Sequence, residues 1–344
     1  MSEQQPATPS PIRRESPAST SRLSPRRLWE RLVFVAYLGL MKGVGLMPPR
    51  PVEAIFSTLA PLAYLLWPAK RRIADGNAAV VLGVADPDGR PLPGSAAQVR
   101  ARSLAVYRSY GRYTAELLRL PSRSLADIAA EVDLEVTGLL DEYRARKQPA
   151  IFVGFHAGNN ELGAAALAER RYDVNVVGDD SAFPEMYELL RRLRASWGIT
   201  MIDWRAIREV FGVMRRGGIL VLLSDWGWKP DGTPCRLFGR WTTLPSGPAV
   251  IAARGNAPIV PFFVRRERPG AFRIIFGEPV DAGNGSPAAQ LAATQATASE
   301  MERLMRSDPT QWNCFKPLWP NAVEQARLAT RAAEMATQTE RGAA

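Results

Sequence analysis

The fold is decided by the stretch Ala150-Ile151-Phe152-Val153-Gly154-Phe155-His156-Ala157-Gly158-Asn159-Asn160-Glu161. Its apolar run, residues 150–155, predicts a buried strand, and the Ala- and Leu-rich residues after the polar turn predict a helix. Asn159 suits the start of that helix because its side-chain oxygen can accept a hydrogen bond from a first-turn N–H group. The stretch therefore indicates a strand, a short turn and a helix, which is the alternation of an α/β protein.

Similar segments on both sides of this stretch extend the pattern. They predict an α/β domain over residues 95–320, with a mixed sheet and helices on both faces. The strand segments are mainly apolar, which is typical of a sheet covered on both sides. The predicted strands are 150–155, 174–177, 219–223, 259–264 and 273–276. The predicted helices are 97–120, 159–171, 184–196, 205–215 and 287–305.

His156 is the only histidine among the 344 residues, so any imidazole chemistry near neutral pH depends on it. Glu161 follows five residues later, and on a continuous helix the two side chains would be about 140° apart. They converge only if His156 lies at the strand end, outside the helix. In that geometry the carboxylate can orient the imidazole, which then acts as a general base. The alternative is a lone histidine at a helix start, with Glu161 on a solvated face.

Asp225 follows a second predicted strand, 219–223, which the turn Gly217-Gly218 introduces. Functional side chains gather at the carboxyl ends of strands in open α/β sheets, so Asp225 and His156 can face one cleft. Asp225 can accept a hydrogen bond from a substrate hydroxyl or orient a substrate-binding arginine. An ordinary turn or cap aspartate is an equal alternative.

Charge and cysteine content exclude several classes of protein. Cys235 and Cys314 are far apart in sequence, which indicates no disulfide framework and favours a reducing, cytoplasmic environment. The chain has no zinc-type cysteine pairs, P-loop or Gly-x-Ser-x-Gly elbow, so we expect neither a metal nor a cofactor. The net charge of +10 suits an anionic partner such as an anionic lipid surface. The scattered arginines disfavour nucleic acid.

The ends of the chain differ from its centre. Residues 1–25 are rich in Ser, Pro and Arg and predict a disordered tail, and residues 321–344 predict a solvated helix or disordered tail. Residues 26–94 predict a membrane-associated helical segment, because two apolar stretches, each shorter than the ~20 residues of a span, are flanked by Arg, Lys, Trp and Tyr. A monotopic hairpin or interfacial pair fits best; buried core helices or a single span are the alternatives.

Five segments, in order, resemble the sequence blocks of the lysophospholipid acyltransferase superfamily, in the branch of lipid A late acyltransferases and phosphatidylinositol mannoside acyltransferases. The resemblance covers about residues 30–320, and its second block departs from the pattern by an inserted Trp204 before Arg205. Upstream, residues 71–77 and 107–113 also resemble this branch. The five segments are His156-x4-Glu161, residues 198–205, residues 217–225 with Phe238-Gly239, residues 244–249 and residues 257–262.

The resemblance implies a membrane-associated enzyme on the cytoplasmic face of the inner membrane. It would move a fatty acyl chain from acyl-CoA or acyl carrier protein to a hydroxyl of a glycolipid or phospholipid. His156 would be the general base and Glu161 its partner, with Asp225, Arg205 and Asn160 binding substrate. We expect the oxyanion to be stabilised by N–H groups near residues 158–160.

Two questions stay open at the level of sequence. The passage 238–248 looks closer to the mannoside acyltransferases, in which the donor is acyl-CoA and the acceptor a mannose hydroxyl, but composition does not choose between CoA and carrier protein. The alternatives to an acyltransferase are a non-catalytic membrane lipid-binding protein on the same fold and a thioester hydrolase. Neither the oligomeric state nor the acyl chain length follows from the sequence.

Overall fold

A seven-stranded mixed sheet forms the centre of the chain in a computed structural model that describes residues 25–134, 137–178 and 184–338. The strand order is β1-β9-β8-β2-β5-β3-β4, while β6 and β7 form a separate hairpin. All neighbours in the sheet are parallel except β8 and β9. The strands are β1 (Val132–Leu134), β2 (Ala150–Gly154), β3 (Val174–Gly178), β4 (Thr200–Asp203), β5 (Ile219–Leu223), β6 (Thr233–Leu237), β7 (Arg240–Leu244), β8 (Ile259–Arg268) and β9 (Ala271–Phe276).

Helices cover both faces of this sheet, which confirms the predicted α/β class. Along β2 the side chains alternate between two apolar clusters: Ala150 and Phe152 pack in one, and Ile151 and Val153 in the other. This explains why the strand is apolar at every position. The helices are α1 (Pro25–Gly45), α2 (Pro49–Leu66), α3 (Pro68–Val81), α4 (Ala96–Arg119), α5 (Leu125–Ala130), α6 (Thr137–Ala145), α7 (Asn160–Glu169), α8 (Pro184–Ser196), α9 (Ile207–Arg216), α10 (Gly247–Gly255), α11 (Pro287–Ser307) and α12 (Ala322–Thr337).

The five predicted strands are all present, but the prediction missed the short strands at the sheet edges. β1 has three residues, and β4 pairs only with β3. Of the four residues of β4 only Ile202 is buried, so its sequence lacks the apolar run that marks the central strands. β8 continues beyond the predicted end to Arg268 because its antiparallel pairing with β9 extends that far.

Contacts divide the chain into two units, Met1–Gly39 and Leu40–Ala344. The described part of the first unit, residues 25–39, is helical throughout and belongs to α1. In the second unit α2 and α3 pack against α4, and α3 also contacts the segment after α11: Lys70 donates to the Phe315 carbonyl and Asn77 to the carbonyls of Cys314 and Lys316. The predicted division between residues 94 and 95 falls inside this unit.

Among residues 25–134, 137–178 and 184–338, no single helix is both long and apolar enough to span a bilayer. Taken together, α2 and α3 meet both criteria, with a bend of 103° between them.

The structure describes the C-terminal segment as far as residue 338 but only the last residue of the predicted N-terminal tail. The predicted N-terminal tail lies outside the described residues except for its last residue, Pro25. The C-terminal segment is helical as far as Thr337, and α12 buries Leu328 and Ala332 while Arg331 donates to the carbonyls of Pro230 and Gly232. One side of this helix is therefore packed rather than solvated.

Candidate active site

The turn that carries His156 is held by backbone hydrogen bonds on both sides. Gly158 N–H donates to the Gln311 carbonyl (3.0 Å) and Asn159 N–H to the Val264 carbonyl (3.1 Å). Gly158 has φ +57°, and a Cβ there would lie 1.7 Å from the Val264 oxygen, so only glycine fits. The turn is thereby clamped between β8 and the segment after α11.

Asn159 caps α7, as the sequence predicts. Its Oδ1 accepts from Leu162 N–H at 3.3 Å, and its Nδ2 donates to Glu116 Oε2 at 2.8 Å. Glu116 in turn forms a buried bidentate ion pair with Arg266, with nitrogen–oxygen distances of 2.6 and 2.8 Å. This network links α4, β8 and the His156 turn, and sequence reasoning missed it because its members are far apart along the chain.

The carboxylate that orients His156 is Asp225. The two residues follow adjacent parallel strands in which Gly154 pairs with Leu223, so each lies two residues beyond the last pair. Asp225 Oδ1 is 2.6 Å from His156 Nδ1, and Oδ2 accepts from His156 N–H (2.9 Å) and Trp312 Nε1–H (2.8 Å). The Asp225 side chain is 1% exposed. With Nδ1 engaged, Nε2 is the ring nitrogen left for proton transfer.

This environment raises the pKa of His156 above its ordinary value of 6.5. Burial acts in the opposite direction and lowers the pKa, as does the positive charge of Lys316. The negative charge of Asp225 and its hydrogen bond to the ring outweigh both. Asp225 thus strengthens the imidazole as a base and stabilises the imidazolium that forms when it takes a proton.

The predicted pairing of Glu161 with His156 is wrong. Glu161 lies in the first turn of α7, and its carboxylate forms a bidentate ion pair with Arg194 of α8, in which Nε to Oε2 is 3.0 Å and Nη2 contacts Oε1. Each side chain is only 12% exposed. Glu161 lies five residues after His156 and lines the same cavity. Its carboxylate, however, binds the Arg194 guanidinium, and the carboxylate that binds His156 Nδ1 is that of Asp225.

The cavity around His156 has a volume of about 390 Å³ and lies at the carboxyl edge of β2 and β5. It combines apolar walls with several polar groups, which is typical of a ligand site. Cys314 is among its lining residues, but burial and then the charge of Asp225 raise the pKa of this thiol, so it is a poor nucleophile. The other lining residues are Lys70, Tyr110, Tyr113, Ala157, Gly158, Asn160, Glu161, Leu190, Arg194, Leu223, Asp225, Trp226, Asn313, Phe315 and Lys316.

Of the three predicted substrate-binding residues, Asn160 and Asp225 line the cavity and Arg205 does not. Asn160 lines the cavity, and its Nδ2 donates to the Phe155 carbonyl at 3.0 Å. Arg205 is not brought to this cavity: its guanidinium stacks 4.6 Å from the Trp204 ring centroid and lies 3.7 Å from Asp203. Asp225 is present, but its oxygens are occupied by His156 and Trp312 rather than directed at a substrate or an arginine.

Two of the three N–H groups expected to stabilise an oxyanion are already bonded within the protein. These are Gly158 and Asn159, which donate to Gln311 and Val264. Asn160 and Glu161 open α7, and the first N–H groups of a helix have no acceptor within it. Their position at the helix N-terminus also favours negative charge.

The described residues, 25–134, 137–178 and 184–338, contain no group of three or more His, Cys, Asp or Glu side chains arranged to hold a metal ion. The charged and titratable groups that line the cavity include one imidazole, its carboxylate partner, two lysines and the Glu161–Arg194 ion pair. These groups can accept a proton and stabilise negative charge.

The structure defines an α/β protein with a mixed sheet flanked by helices and a histidine–carboxylate site at the carboxyl edge of that sheet. The chain belongs to the bacterial lipid A biosynthesis acyltransferase family, whose pattern it matches over residues 19–321. It is also 27% identical over 233 residues to a phosphatidylinositol mannoside acyltransferase of Mycobacterium tuberculosis, covering 65% of this chain and 72% of the relative. The corresponding enzyme of Mycolicibacterium smegmatis is 23% identical over 231 residues, or 65% and 74% of the two chains.

Proposed function

We propose that this protein transfers a fatty acyl group from a thioester to a hydroxyl of a glycolipid, with His156 as the general base. The observation that carries the proposal is the bond between the buried Asp225 carboxylate and Nδ1 of the chain's only histidine, in a cavity at the carboxyl edge of the sheet. This arrangement leaves Nε2 to accept the proton of a hydroxyl. The family match supports acyl transfer in lipid biosynthesis.

The reaction proceeds without a covalent acyl-enzyme. His156 Nε2 takes the hydroxyl proton while the oxygen attacks the thioester carbonyl, forming a tetrahedral oxyanion. The N–H groups of Asn160 and Glu161 are the donors proposed for that oxyanion. When the carbonyl re-forms, the C–S bond breaks, and the departing thiolate takes the proton from the imidazolium. The protein returns to its starting state, and an ester and a free thiol are produced.

The donor's acyl chain has a suitable site beside the catalytic cavity. An apolar groove of about 520 Å³ lies between α2 and α4, and it shares Lys70, Tyr110 and Phe315 with the cavity that contains His156. Gly111 allows the two helices to approach, because a Cβ there would lie 2.4 Å from the Phe56 oxygen. A chain in this groove can place its thioester next to the imidazole. The relatives' names favour acyl transfer to a phosphatidylinositol mannoside, and acyl-CoA or an acyl carrier protein can serve as donor.

Membrane attachment through residues 26–72 is the second part of the proposal. In α2 the residues Ile55, Leu59, Leu62 and Leu66 recur at intervals of three or four and are all exposed, with Trp67 exposed at the helix end. Such an apolar face, close to Arg71 and Arg72, fits the interface of an anionic leaflet. We place it on the cytoplasmic face of the inner membrane, where acyl thioesters are available.

The activity is tested by incubating purified protein with radiolabelled palmitoyl-CoA and phosphatidylinositol mannoside in mixed micelles. Wild-type protein should yield a labelled glycolipid, and His156→Ala should reduce the rate by about 10²–10⁴-fold. Circular dichroism of the variant checks that the fold is retained. Free fatty acid formed without acceptor would identify a thioester hydrolase instead. Absence of any labelled product, with donor and acceptor both bound, would identify a non-catalytic lipid-binding protein.

A further inference from the structure

Two lysines at the catalytic cavity have no carboxylate partner among the described residues. Lys316 Nζ lies 4.2 Å from the centroid of the Trp226 ring, and that ring is 5.4 Å from the His156 ring centroid. Lys70 Nζ donates to the Phe315 carbonyl at 3.2 Å and lies 5.9 Å from the Trp67 centroid. Both lysines line the cavity and are half-buried. Neither positive charge at the reaction site is therefore neutralised by a direct ion pair among the described residues.

The start of α3 adds to this positive potential. Lys70 lies in the first turn of α3, where no side chain caps the helix and no acidic residue is present. A helix N-terminus carries a partial positive charge, so a lysine there is electrostatically unfavourable unless an anion is nearby. The charge of Lys316 also reaches the imidazole, since it lowers the pKa of His156 against the larger effect of Asp225. A bound anion would offset the positive charge of Lys70 at the helix N-terminus and the effect of Lys316 on the pKa of His156.

We propose that Lys70 and Lys316 form a subsite for a phosphate ester of the substrate. This inference rests on the proposed acyl transfer and names the group that the cavity recognises beside the reacting atoms. Lysine binds phosphate as a point charge with three N–H donors, and Lys70 uses one of its donors on Phe315. Trp226 and the Phe315 carbonyl orient the two ammonium groups and leave the remaining donors for the ligand.

The distance from His156 favours the acceptor lipid as the source of the phosphate. The reacting hydroxyl of an inositol glycolipid is separated from its phosphodiester by one or two sugar rings. In acyl-CoA the extended pantetheine arm holds the diphosphate much farther from the thioester. Lys316 contacts the Trp226 ring, which in turn lies against His156, so the subsite is close to the reacting atoms. The short hydroxyl-to-phosphate separation of the inositol glycolipid matches this arrangement better than the long arm of acyl-CoA.

The proposal is tested first by binding, which requires no turnover. The probe is glycerophosphoinositol, which carries a phosphodiester, with myo-inositol as the phosphate-free control, and calorimetry measures both. Lys316→Gln and Lys70→Gln should each raise the Kd for glycerophosphoinositol about tenfold, whereas Lys316→Arg should remain near wild type. Lys229→Gln is the matched control, since this exposed lysine does not line the cavity.

Steady-state kinetics then identify the source of the phosphate. If the acceptor supplies it, the two Gln variants should raise KM for phosphatidylinositol mannoside about tenfold and leave KM for palmitoyl-CoA within twofold. If the donor supplies it, KM for palmitoyl-CoA should rise instead, and KM for the phosphate-free palmitoyl-N-acetylcysteamine should not. Equal Kd values in wild type and both Gln variants, no binding by wild type, or an equal loss in Lys229→Gln would overturn the subsite. Failure of the proposed function is separate: the wild type would bind the probe but transfer no acyl group.

Discussion

Replacing Asp225 with Asn tests the central feature of the site with a change of few atoms. The carboxylate accepts hydrogen bonds from His156 N–H and Trp312 Nε1–H and contacts His156 Nδ1 at 2.6 Å. An amide has one oxygen and one NH2 group, so it cannot accept from all three donors. If the NH2 group faces Nδ1, the proton of the neutral ring moves to Nε2, and the ring can no longer accept the hydroxyl proton.

The expected loss in kcat is about 10²–10⁴-fold, the usual contribution of an oriented general base. In the variant, one of the three groups that the carboxylate contacts is left buried without a hydrogen-bond acceptor. This should also lower the free energy of unfolding by about 1–3 kcal/mol. Urea denaturation measures this second effect and shows whether the variant is folded at the assay temperature.

The pH profile separates orientation of the imidazole from general damage. In wild type the raised pKa of His156 places the acid limb of kcat/KM above pH 6.5, and activity falls as the pH drops through that pKa. Asp225→Asn removes the charge that raises the pKa and leaves burial and Lys316, which lower it. The acid limb should therefore move to lower pH while the maximum rate falls. A limb at the wild-type position, or a kcat within threefold of wild type, would refute the assigned role of Asp225.

Further variants test the other contacts of the site and the membrane surface. Glu161→Gln leaves Arg194 without its bidentate partner, so the free energy of unfolding should fall by about 2–4 kcal/mol while the acid limb stays in place; a shifted limb would restore Glu161 as the partner of His156. Gly158→Ala should cost about 2–5 kcal/mol because its Cβ meets the Val264 oxygen, whereas Gly83→Ala, at φ +73° in open space, should cost only the backbone strain; equal losses would contradict this. The double variant Leu59→Asp, Leu62→Asp should reduce flotation of the protein with anionic vesicles. Unchanged flotation would show that α2 does not bind the membrane.

Local features of the site follow from the sequence because they depend on neighbours along the chain. The apolar run of β2 needs burial on both faces, and Asn159 caps the helix that begins one residue later. A single histidine leaves one candidate base. The prediction that His156 and Asp225 lie at strand ends of one sheet edge is confirmed by the structure.

The partners of these residues were decided by the tertiary structure. Sequence distance favours Glu161 over Asp225, which is 69 residues from His156, yet the parallel pairing of β2 with β5 brings Asp225 against Nδ1. Arg194 of α8 and Glu161 of α7 are 33 residues apart and meet only in the tertiary structure, and no local pattern distinguishes this arginine from the others. Spacing along a chain determines the direction of a side chain within its own element. Which carboxylate faces which cation depends on strand order and helix packing, because these bring together residues that the sequence keeps far apart.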